Sequence, residues 1–273
     1  MKKAILLLLL ISLYAKIGFA EIIETTDFST VESHLATADQ NTLVIFDIDE
    51  VIIETTDAIL KPQHKPQFLK FEEELLERTS KEKVLYLRSI IFEEQSIRLV
   101  QDKILDTFNN LKSRNINIIA ITYIPTGPRG RIAKFEDWGL SRLSKFGIDF
   151  RKFNNLKDHT FSEIPAKNGV PLTKNGVTFT ALATKGVLLD AVLKQNNIKP
   201  KKVIFIDDKL SNLQSVETTC KNLNIPFTGI QYTAVIKSDK WKFDEELARL
   251  QFNILEKEHK WLSDQAARVQ LAK

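Results

Sequence analysis

Four short runs of branched and aromatic apolar residues constrain the fold of this chain most strongly. The runs cover residues 42–47, 116–122, 201–208 and 227–232. Apolar runs of this length without polar alternation predict strands that are buried on both faces. The first three runs end on acidic or hydroxyl residues, which is unusual for a buried segment. The sequence therefore predicts buried strands with polar groups at their carboxyl ends.

Helical patterns separate these strands. Apolar residues three and four apart, with charges between them, predict helices within 66–113, 131–147, 184–197 and 209–224. The segment 148–183 is rich in turn residues, and its Asn168-Gly169 and Asn175-Gly176 pairs predict hairpins. The tail from Lys240 to Lys273 is an amphipathic pattern, which predicts a packing helix that closes the fold. Alternating strands and helices predict an α/β fold, a Rossmann-like parallel sheet with helices on both faces.

The first twenty residues have the layout of a cleavable signal peptide. Two lysines precede an apolar run from Ala4 to Tyr14, and small residues precede a predicted cut after Ala20. The alternative is a membrane anchor, but the run is shorter than the roughly 20 residues needed to span a bilayer. We therefore predict a secreted or periplasmic protein without stable membrane insertion after cleavage.

Charge, cysteine and histidine content exclude several functions. Without the three lysines of the leader, 36 basic residues face 35 acidic ones, so the net charge falls from +4 to +1. A nucleic-acid partner, which needs a concentrated basic face, is not expected. Cys220 is the only cysteine and the four histidines are scattered, so neither a disulfide nor a zinc site is predicted.

The polar residues at the strand ends indicate the chemistry. In parallel sheets the carboxyl ends of the strands share one edge, so Asp47, Asp49, Thr122, Asp207 and Asp208 should converge there. Carboxylates that meet in a partly desolvated cleft repel one another, and a divalent cation is the common remedy. All-oxygen ligation suits Mg²⁺. A Mg²⁺ site with room for a phosphate indicates phosphoryl transfer.

Four motifs resemble those of the haloacid dehalogenase (HAD) superfamily. They are "VIFDIDEV" after the first strand, "IIAIT", "TKG" at a helix start and "VIFIDD", in the family's order and roughly its spacing. Each motif is weak alone, and the four together are specific. Val51 stands where many HAD phosphatases carry Thr. The leader and the long helical insert also resemble an exported bacterial subgroup of unassigned function.

The resemblance implies a role for each catalytic position. Asp47 would be the nucleophile that forms an aspartyl-phosphate, and Asp49 would be the general acid and then the base. Thr122 would bind a phosphate oxygen, and Lys185 would neutralise charge on the phosphoryl group and Asp47. Asp49 favours phosphate over halide chemistry, since dehalogenases of this fold lack it. Lys167 and Lys174 remain alternatives for the third-motif lysine.

The resemblance also implies a metal set and a domain division. Asp47, the backbone carbonyl of Asp49 and Asp207 would hold Mg²⁺, with Asp208 as a further acid. A helical cap at 57–113 would be inserted after the first strand, into a core of 21–56 and 114–273. Such a cap excludes water and selects the substrate.

Basic residues near the predicted site offer contacts for a substrate. Arg129 and Arg131 follow Thr122 in the loop "TYIPTGPRGR", and Arg binds phosphate bidentately. The alternative is a plain surface turn. The basic residues of the insert (Arg88, Arg98 and Lys103) fit a solvated helix face better than a binding surface.

The leading functional hypothesis is an exported Mg²⁺-dependent phosphatase that acts on a small phosphorylated substrate. One alternative is a catalytically weak HAD-fold protein that acts as a binding or host-interaction module. Another is a phosphoacceptor receiver domain, which also places acids, Thr and Lys at strand ends. The helical insert and the leader argue against the receiver domain. Neither the substrate nor the oligomeric state is indicated by the residues.

Overall fold

A single eight-stranded sheet forms the centre of the protein, as seen in a computed structural model that describes residues 20–272. The strands are β1 (Ala20–Thr25), β2 (Thr42–Phe46), β3 (Ile53–Thr55), β4 (Ile97–Leu99), β5 (Asn117–Thr122), β6 (His159–Thr160), β7 (Leu172–Lys174), β8 (Val177–Phe179), β9 (Lys202–Asp207) and β10 (Phe227–Tyr232). The sheet order is β1-β10-β9-β2-β5-β8-β7-β6, and β3 pairs separately with β4. Along this sheet order, the pairings of the first six strands, from β1 through β10, β9, β2 and β5 to β8, are parallel. The strands β7 and β6 then add two antiparallel pairings at one edge. This sheet confirms the predicted α/β class.

Helices cover both faces of the sheet. They are α1 (Phe28–Ala36), α2 (Lys65–Arg78), α3 (Lys81–Glu94), α4 (Ile104–Ser113), α5 (Phe135–Ser144), α6 (Lys185–Gln195), α7 (Leu210–Asn222), α8 (Glu245–Glu258) and α9 (Asp264–Leu271). Side chains alternate between faces along a strand. Phe46 therefore belongs to the apolar cluster that includes residues of α1, α4 and α5, while its neighbour Ile45 belongs to the cluster that includes residues of α6 and α7. Burial on both faces explains why the strands read as continuous apolar runs.

Most of the predicted elements agree with the structure to within a few residues. The pattern at 131–147 forms a helix only from Phe135, because the preceding residues make a turn in which Arg129 and Ile132 pair. The edge strand β1 and helix α1 were not predicted. The predicted signal peptide falls on residues 1–19, which lie outside the described residues, and on Ala20, the first residue of β1.

The two predicted hairpin signals take different forms. Asn175 and Gly176 both have positive φ, at 52° and 78°, and connect the antiparallel strands β7 and β8. This is the backbone that a tight hairpin requires. Asn168-Gly169 lies in the longer connection 161–171 between the antiparallel strands β6 and β7 and does not form a two-residue turn. Its backbone packs on Thr126, whose N–H donates to the carbonyl oxygen of Asn168 at 3.1 Å.

A second layer of helices lies beside the sheet and combines two distant segments of the chain, 65–94 and 245–258. Its apolar cluster joins α2 and α3 to α8, with Phe71 stacked on Phe252 at 4.8 Å between ring centroids and Trp261 at its edge. Helix α4, by contrast, buries Phe108 in the core of the sheet. We call α2, α3 and α8 the helical unit. The predicted domain boundaries stay a prediction, but the structure adds the tail to this unit and assigns α4 to the core.

A buried carboxylate ties the C-terminal segment to the segment that follows β3. Asp57 is fully buried and accepts hydrogen bonds from the Trp261 indole at 2.9 Å, the backbone N–H of Asp264 at 3.1 Å and that of Ser96 at 3.4 Å. Asp264 in turn accepts from the backbone N–H of Ala58 at 3.0 Å. These bonds fix the end of the chain against the helical unit. Within residues 20–272, every helix is too short or too polar to cross a membrane.

Replacing Asp57 with alanine should lower the free energy of unfolding by about 3 kcal/mol, because the buried Trp261 indole and two partly buried backbone N–H groups lose their acceptor. Asp190→Ala is the matched control. Asp190 makes only an exposed ion pair with Lys194 on α6, and its loss should cost less than about 0.5 kcal/mol. Urea unfolding of both variants measures the difference. Equal losses would show that Asp57 does not hold the C-terminal segment.

Candidate active site

A compact turn after β2 presents the first two acids. The backbone N–H of Asp47 donates to the carbonyl oxygen of Ile206 at 2.9 Å, so the sheet pairing extends one residue beyond β2. The chain then folds back, and Ile52 and Ile53 both donate to the carbonyl oxygen of Ile48. The apolar residues of this turn are buried, whereas Asp49 is partly exposed. The turn thereby explains how acids and buried apolar residues alternate in "FDIDEVII".

Lys185 links the first and fourth motifs. Its ammonium group is fully buried and lies 2.8 Å from Oδ1 of Asp47 and 2.7 Å from Oδ2 of Asp207. Burial alone would lower the pKa of Lys185, but the charges of Asp207 and Asp47 more than offset this and raise it. The lysine is therefore protonated and neutralises part of the acidic charge. It is the third-motif lysine in this geometry, since Lys167 is exposed and Lys174 pairs with Asp137.

Lys185 reaches this position because its helix packs unusually close to α7. A Cβ on Gly186 would lie 2.2 Å from the carbonyl oxygen of Ser215, so only glycine fits there. The backbone N–H of Gly186 donates to the Ser215 hydroxyl at 3.1 Å. Thr184 occupies the predicted N-cap position, without a side-chain capping bond. The close packing that Gly186 permits thus places Lys185 beside the acids.

Asp207 and Asp208 have different surroundings. Asp207 accepts from Lys185, from the backbone N–H of Lys209 at 2.8 Å and from the amide of Asn212 at 2.9 Å. Asp208 is just as buried, yet neither of its carboxylate oxygens has a hydrogen-bond partner within the described residues. Its closest cation is the Lys209 ammonium at 3.7 Å. Asp207 is anchored, whereas Asp208 presents two unsatisfied oxygens to the site.

The acids perturb one another strongly. Burial raises the pKa of Asp47 to about 7; Lys185 opposes the shift, and Asp207 and Asp208 add to it. Burial likewise raises the pKa of Asp208 to about 6, opposed by Lys209. The buried Lys185 and the exposed Lys209 together carry too little positive charge for three buried acids. The site therefore favours a further cation.

The donor set fits a magnesium ion. Oxygens of Asp47, Asp207 and Asp208 lie within 4.8 Å of one another. A buried carboxylate without a partner costs stability, and a divalent ion bound to it would remove that cost. Carboxylate oxygens are the ligands that Mg²⁺ prefers. These three residues are the ones that would hold the ion, and the Asp49 side chain is outside the set.

Arg142, which was not predicted, positions the Asp49 carboxylate. This arginine lies on α5, is nearly fully buried and pairs with Oδ1 of Asp49. Its guanidinium carbon lies 4.5 Å from the ring centroid of Trp138. A guanidinium that is packed against an indole has little freedom, so it holds the carboxylate in one orientation. Neither Arg142 nor Asn212 was predicted, because a lone Arg or Asn in a helix carries no sequence signal.

Thr122 lies where it was predicted, at the buried end of β5, the strand next to β2. The two loop arginines are used differently. Arg131 pairs with Glu93 and Glu94 on α3, so it connects the loop to the helical unit. Arg129 donates to Asn168 at 3.3 Å and packs over Phe135. A substrate contact by either arginine stays a prediction.

The basic residues of the insert lie in three separate places. Arg88 pairs with Glu72 beside a cleft next to the acids, and Arg98 pairs with Glu54. Lys103 is exposed at the start of α4, away from that cleft. The prediction of a solvated surface agrees with the exposed Lys103 but not with Arg88, which is paired with Glu72.

The sequence also matches a known protein family over nearly its whole length. The model of the family described as "Protein of unknown function (DUF2608)" covers residues 24–268. The chain belongs to this family. A relative from Rickettsia prowazekii, named an uncharacterized protein, is 26% identical over 98% of both chains. A Chlamydia trachomatis relative named "Putative outer membrane protein" is 27% identical over 86% of this chain and 85% of its own.

A solved structure is similar at the level of the general fold. It is a haloacid dehalogenase-like family hydrolase from Streptococcus pneumoniae, with 12% sequence identity and a TM-score of 0.38. The match covers 70% of this chain and 94% of that one.

Lys185→Met should destabilise the protein by about 3–5 kcal/mol at pH 8, because Asp47 and Asp207 lose their buried counter-ion. Lys174→Met, the control, removes a partly exposed ion pair and should cost less than about 1 kcal/mol. Urea unfolding at pH 8 without divalent ions measures both. Similar costs would contradict the central place of Lys185.

Mg²⁺ should stabilise the protein more at pH 8 than at pH 5.5. The raised pKa values of Asp47 and Asp208, about 7 and about 6, mean that the folded state holds protons there at low pH. Without metal, the stability that these protonated groups provide is lost as the pH rises from the ordinary Asp pKa of 3.8 through the raised values of about 6 and about 7. Because Mg²⁺ competes with those protons, ten times its Kd at pH 8 should raise the Tm by about 3 °C.

Thermal unfolding with Mg²⁺ or EDTA at both pH values measures this effect. Asp208→Asn should lose most of the Mg²⁺ response, whereas Asp190→Asn on the surface of α6 should keep it. A Mg²⁺ response that is the same at both pH values would contradict proton competition at these carboxylates.

Proposed function

We propose that this protein is an exported Mg²⁺-dependent phosphatase that hydrolyses a small phosphate monoester through an aspartyl-phosphate on Asp47. The observation that carries the proposal is the cluster of Asp47, Asp207 and Asp208 around one buried lysine, with the Asp208 carboxylate unsatisfied. Such a cluster has the charge to hold a cation and, through it, an anionic phosphate.

Asp47 is the nucleophile in this proposal. Both Lys185 and the backbone N–H of Ile48 contact its Oδ1, which orients the carboxylate and leaves Oδ2 to attack phosphorus. The new bond joins Oδ2 to phosphorus while the bond from phosphorus to the alcohol oxygen breaks. Lys185 stabilises the charge that develops on the phosphoryl oxygens. Bound Mg²⁺ would neutralise further phosphoryl charge.

Asp49 transfers protons in both half-reactions. It lies two residues beyond the nucleophile, partly exposed at the mouth of the site, where the alcohol leaves. In the first step it donates a proton to the leaving oxygen; in the second it takes one from the water that hydrolyses the aspartyl-phosphate. Arg142 holds its orientation throughout. The products are the free alcohol, inorganic phosphate and the original Asp47 carboxylate.

Two features support export. The first twenty residues have the layout of a cleavable signal, and the Chlamydia trachomatis relative carries the name of an outer membrane protein. We infer that the mature chain begins at Glu21 and acts in the periplasm or outside the cell. This start keeps Glu21–Thr25, most of the edge strand β1.

The test is hydrolysis of p-nitrophenyl phosphate by residues 21–273 with Mg²⁺ and with EDTA. Turnover should require the metal, and Asp47→Asn should reduce kcat by at least about 1,000-fold, because an amide is a poor nucleophile. Asp190→Asn is the same chemical change on the surface of α6 and should keep full activity.

Two outcomes would overturn the proposal. Full activity of Asp47→Asn would exclude the aspartyl-phosphate. No metal-dependent turnover of this ester, or of sugar, nucleotide and alkyl phosphates, would favour a binding module that keeps the fold without the reaction.

A further inference from the structure

A cleft of about 600 Å³ opens between the acids and the helical unit. Asp49, Glu50 and Lys209 form its inner end, next to the cluster that would hold the phosphate. Helices α2 and α3 and the segment around Leu60 form its walls. A phosphate bound at the acids would direct its alcohol portion into this space. The volume suits a small organic group.

The walls of the cleft are largely apolar. Phe68 and Leu69 come from α2, Ile91 and Phe92 from α3, and Ile59 and Leu60 from the segment before α2. Leu69 is 40% exposed, although its helix has a buried apolar face elsewhere. Exposed apolar side chains that line a concave surface are typical of a ligand site.

Two of the charged groups of the walls are already paired within the protein: the fully buried Lys61 pairs with Glu54, and Arg88 pairs with the nearly buried Glu72. Lys65, the remaining cation of the walls, is exposed and has no ion pair within the described residues. A sugar or nucleoside would need several uncommitted donors and acceptors along the walls, since its buried hydroxyls would otherwise lose their hydrogen bonds. The unsatisfied carboxylate oxygen of Glu50 lies at the inner end, beside the acids.

We propose that this cleft binds a hydrocarbon alcohol portion, so that the substrate class is an alkyl or aryl phosphate rather than a sugar or nucleotide phosphate. The inference rests on the proposed phosphatase function, and it deepens that function by naming what the helical unit selects. Specificity comes from apolar area next to the acids, because the ion pairs of Lys61 and Arg88 are committed and Lys65, the unpaired wall cation of the described residues, is exposed to water.

The test compares kcat/KM for methyl, butyl and hexyl phosphate. Each methylene that becomes buried should contribute up to about fourfold, so hexyl phosphate should exceed methyl phosphate by at least about 30-fold. Leu69→Ser should lower this ratio about five- to tenfold. Leu76→Ser is the matched control: Leu76 lies two turns along α2, is 48% exposed and is outside the cleft, so the ratio should not change.

The outcomes separate this inference from the proposed function. If all three esters are hydrolysed at similar kcat/KM, or glucose 6-phosphate is preferred, the inference is wrong and the phosphatase stands. If no ester is hydrolysed, the proposed function fails. Calorimetry with methyl- and hexylphosphonate in Mg²⁺ then tests whether the cleft binds an apolar ligand. Tighter hexylphosphonate binding that Leu69→Ser weakens would support an apolar ligand site; equal binding would overturn it.

Discussion

The buried ammonium group of Lys185, between Asp47 and Asp207, is the interaction on which the site depends. It holds the ends of β2 and β9 to the start of α6, and it makes three adjacent buried acids tolerable. Removing charges from water is expensive, so such a pair persists only where the fold surrounds it completely. The parallel sheet meets this condition, because it brings the carboxyl ends of its strands to one edge beneath the helices.

The positive charge of Lys185 compensates the buried acids only in part, and the acids that remain uncompensated favour a cation. Lys185 and Asn212 satisfy Asp207, while both oxygens of Asp208 lack a partner and the pKa of Asp47 is raised to about 7. A protein gains nothing in stability from such an arrangement. Perturbed buried acids in a cleft are characteristic of functional sites, where a cation and an anionic ligand complete the charge balance.

The helical unit shows how two distant segments of the chain form one surface. Helices α2 and α3 follow β3 closely, yet their apolar cluster is closed by Phe252 and Trp261 near the C-terminus. Asp57 fixes this contact through the Trp261 indole. The tail was expected to pack, but its partner was not foreseen. An amphipathic pattern shows that a helix has an apolar face and does not show what covers it.

Periodicity and motif order alone predicted the sheet, its four main strands, the acids at its edge and the helix that carries Lys185. These succeed because burial on both faces and the parallel topology impose local patterns on the sequence. Local signals were incomplete where contacts are distant: Asn168-Gly169 has hairpin chemistry but lies in a long connection that packs on Thr126, and β1 pairs with a strand some 200 residues away. Arg131 joins its loop to α3, a contact that the sequence did not indicate.

The sequence by itself determined the fold class and the acidic and hydroxyl residues at the strand ends, because strand burial and the placement of these residues produce patterns within short segments of the sequence. Only the tertiary structure decided which lysine lies between the acids, that Arg142 orients Asp49, and that Asp207 is anchored while Asp208 is unsatisfied. It also decided that apolar side chains from α2 and α3 form a cleft beside the acids. Contacts between side chains 90 or more residues apart leave no periodic pattern in the sequence, since each contact depends on where the packed helices end.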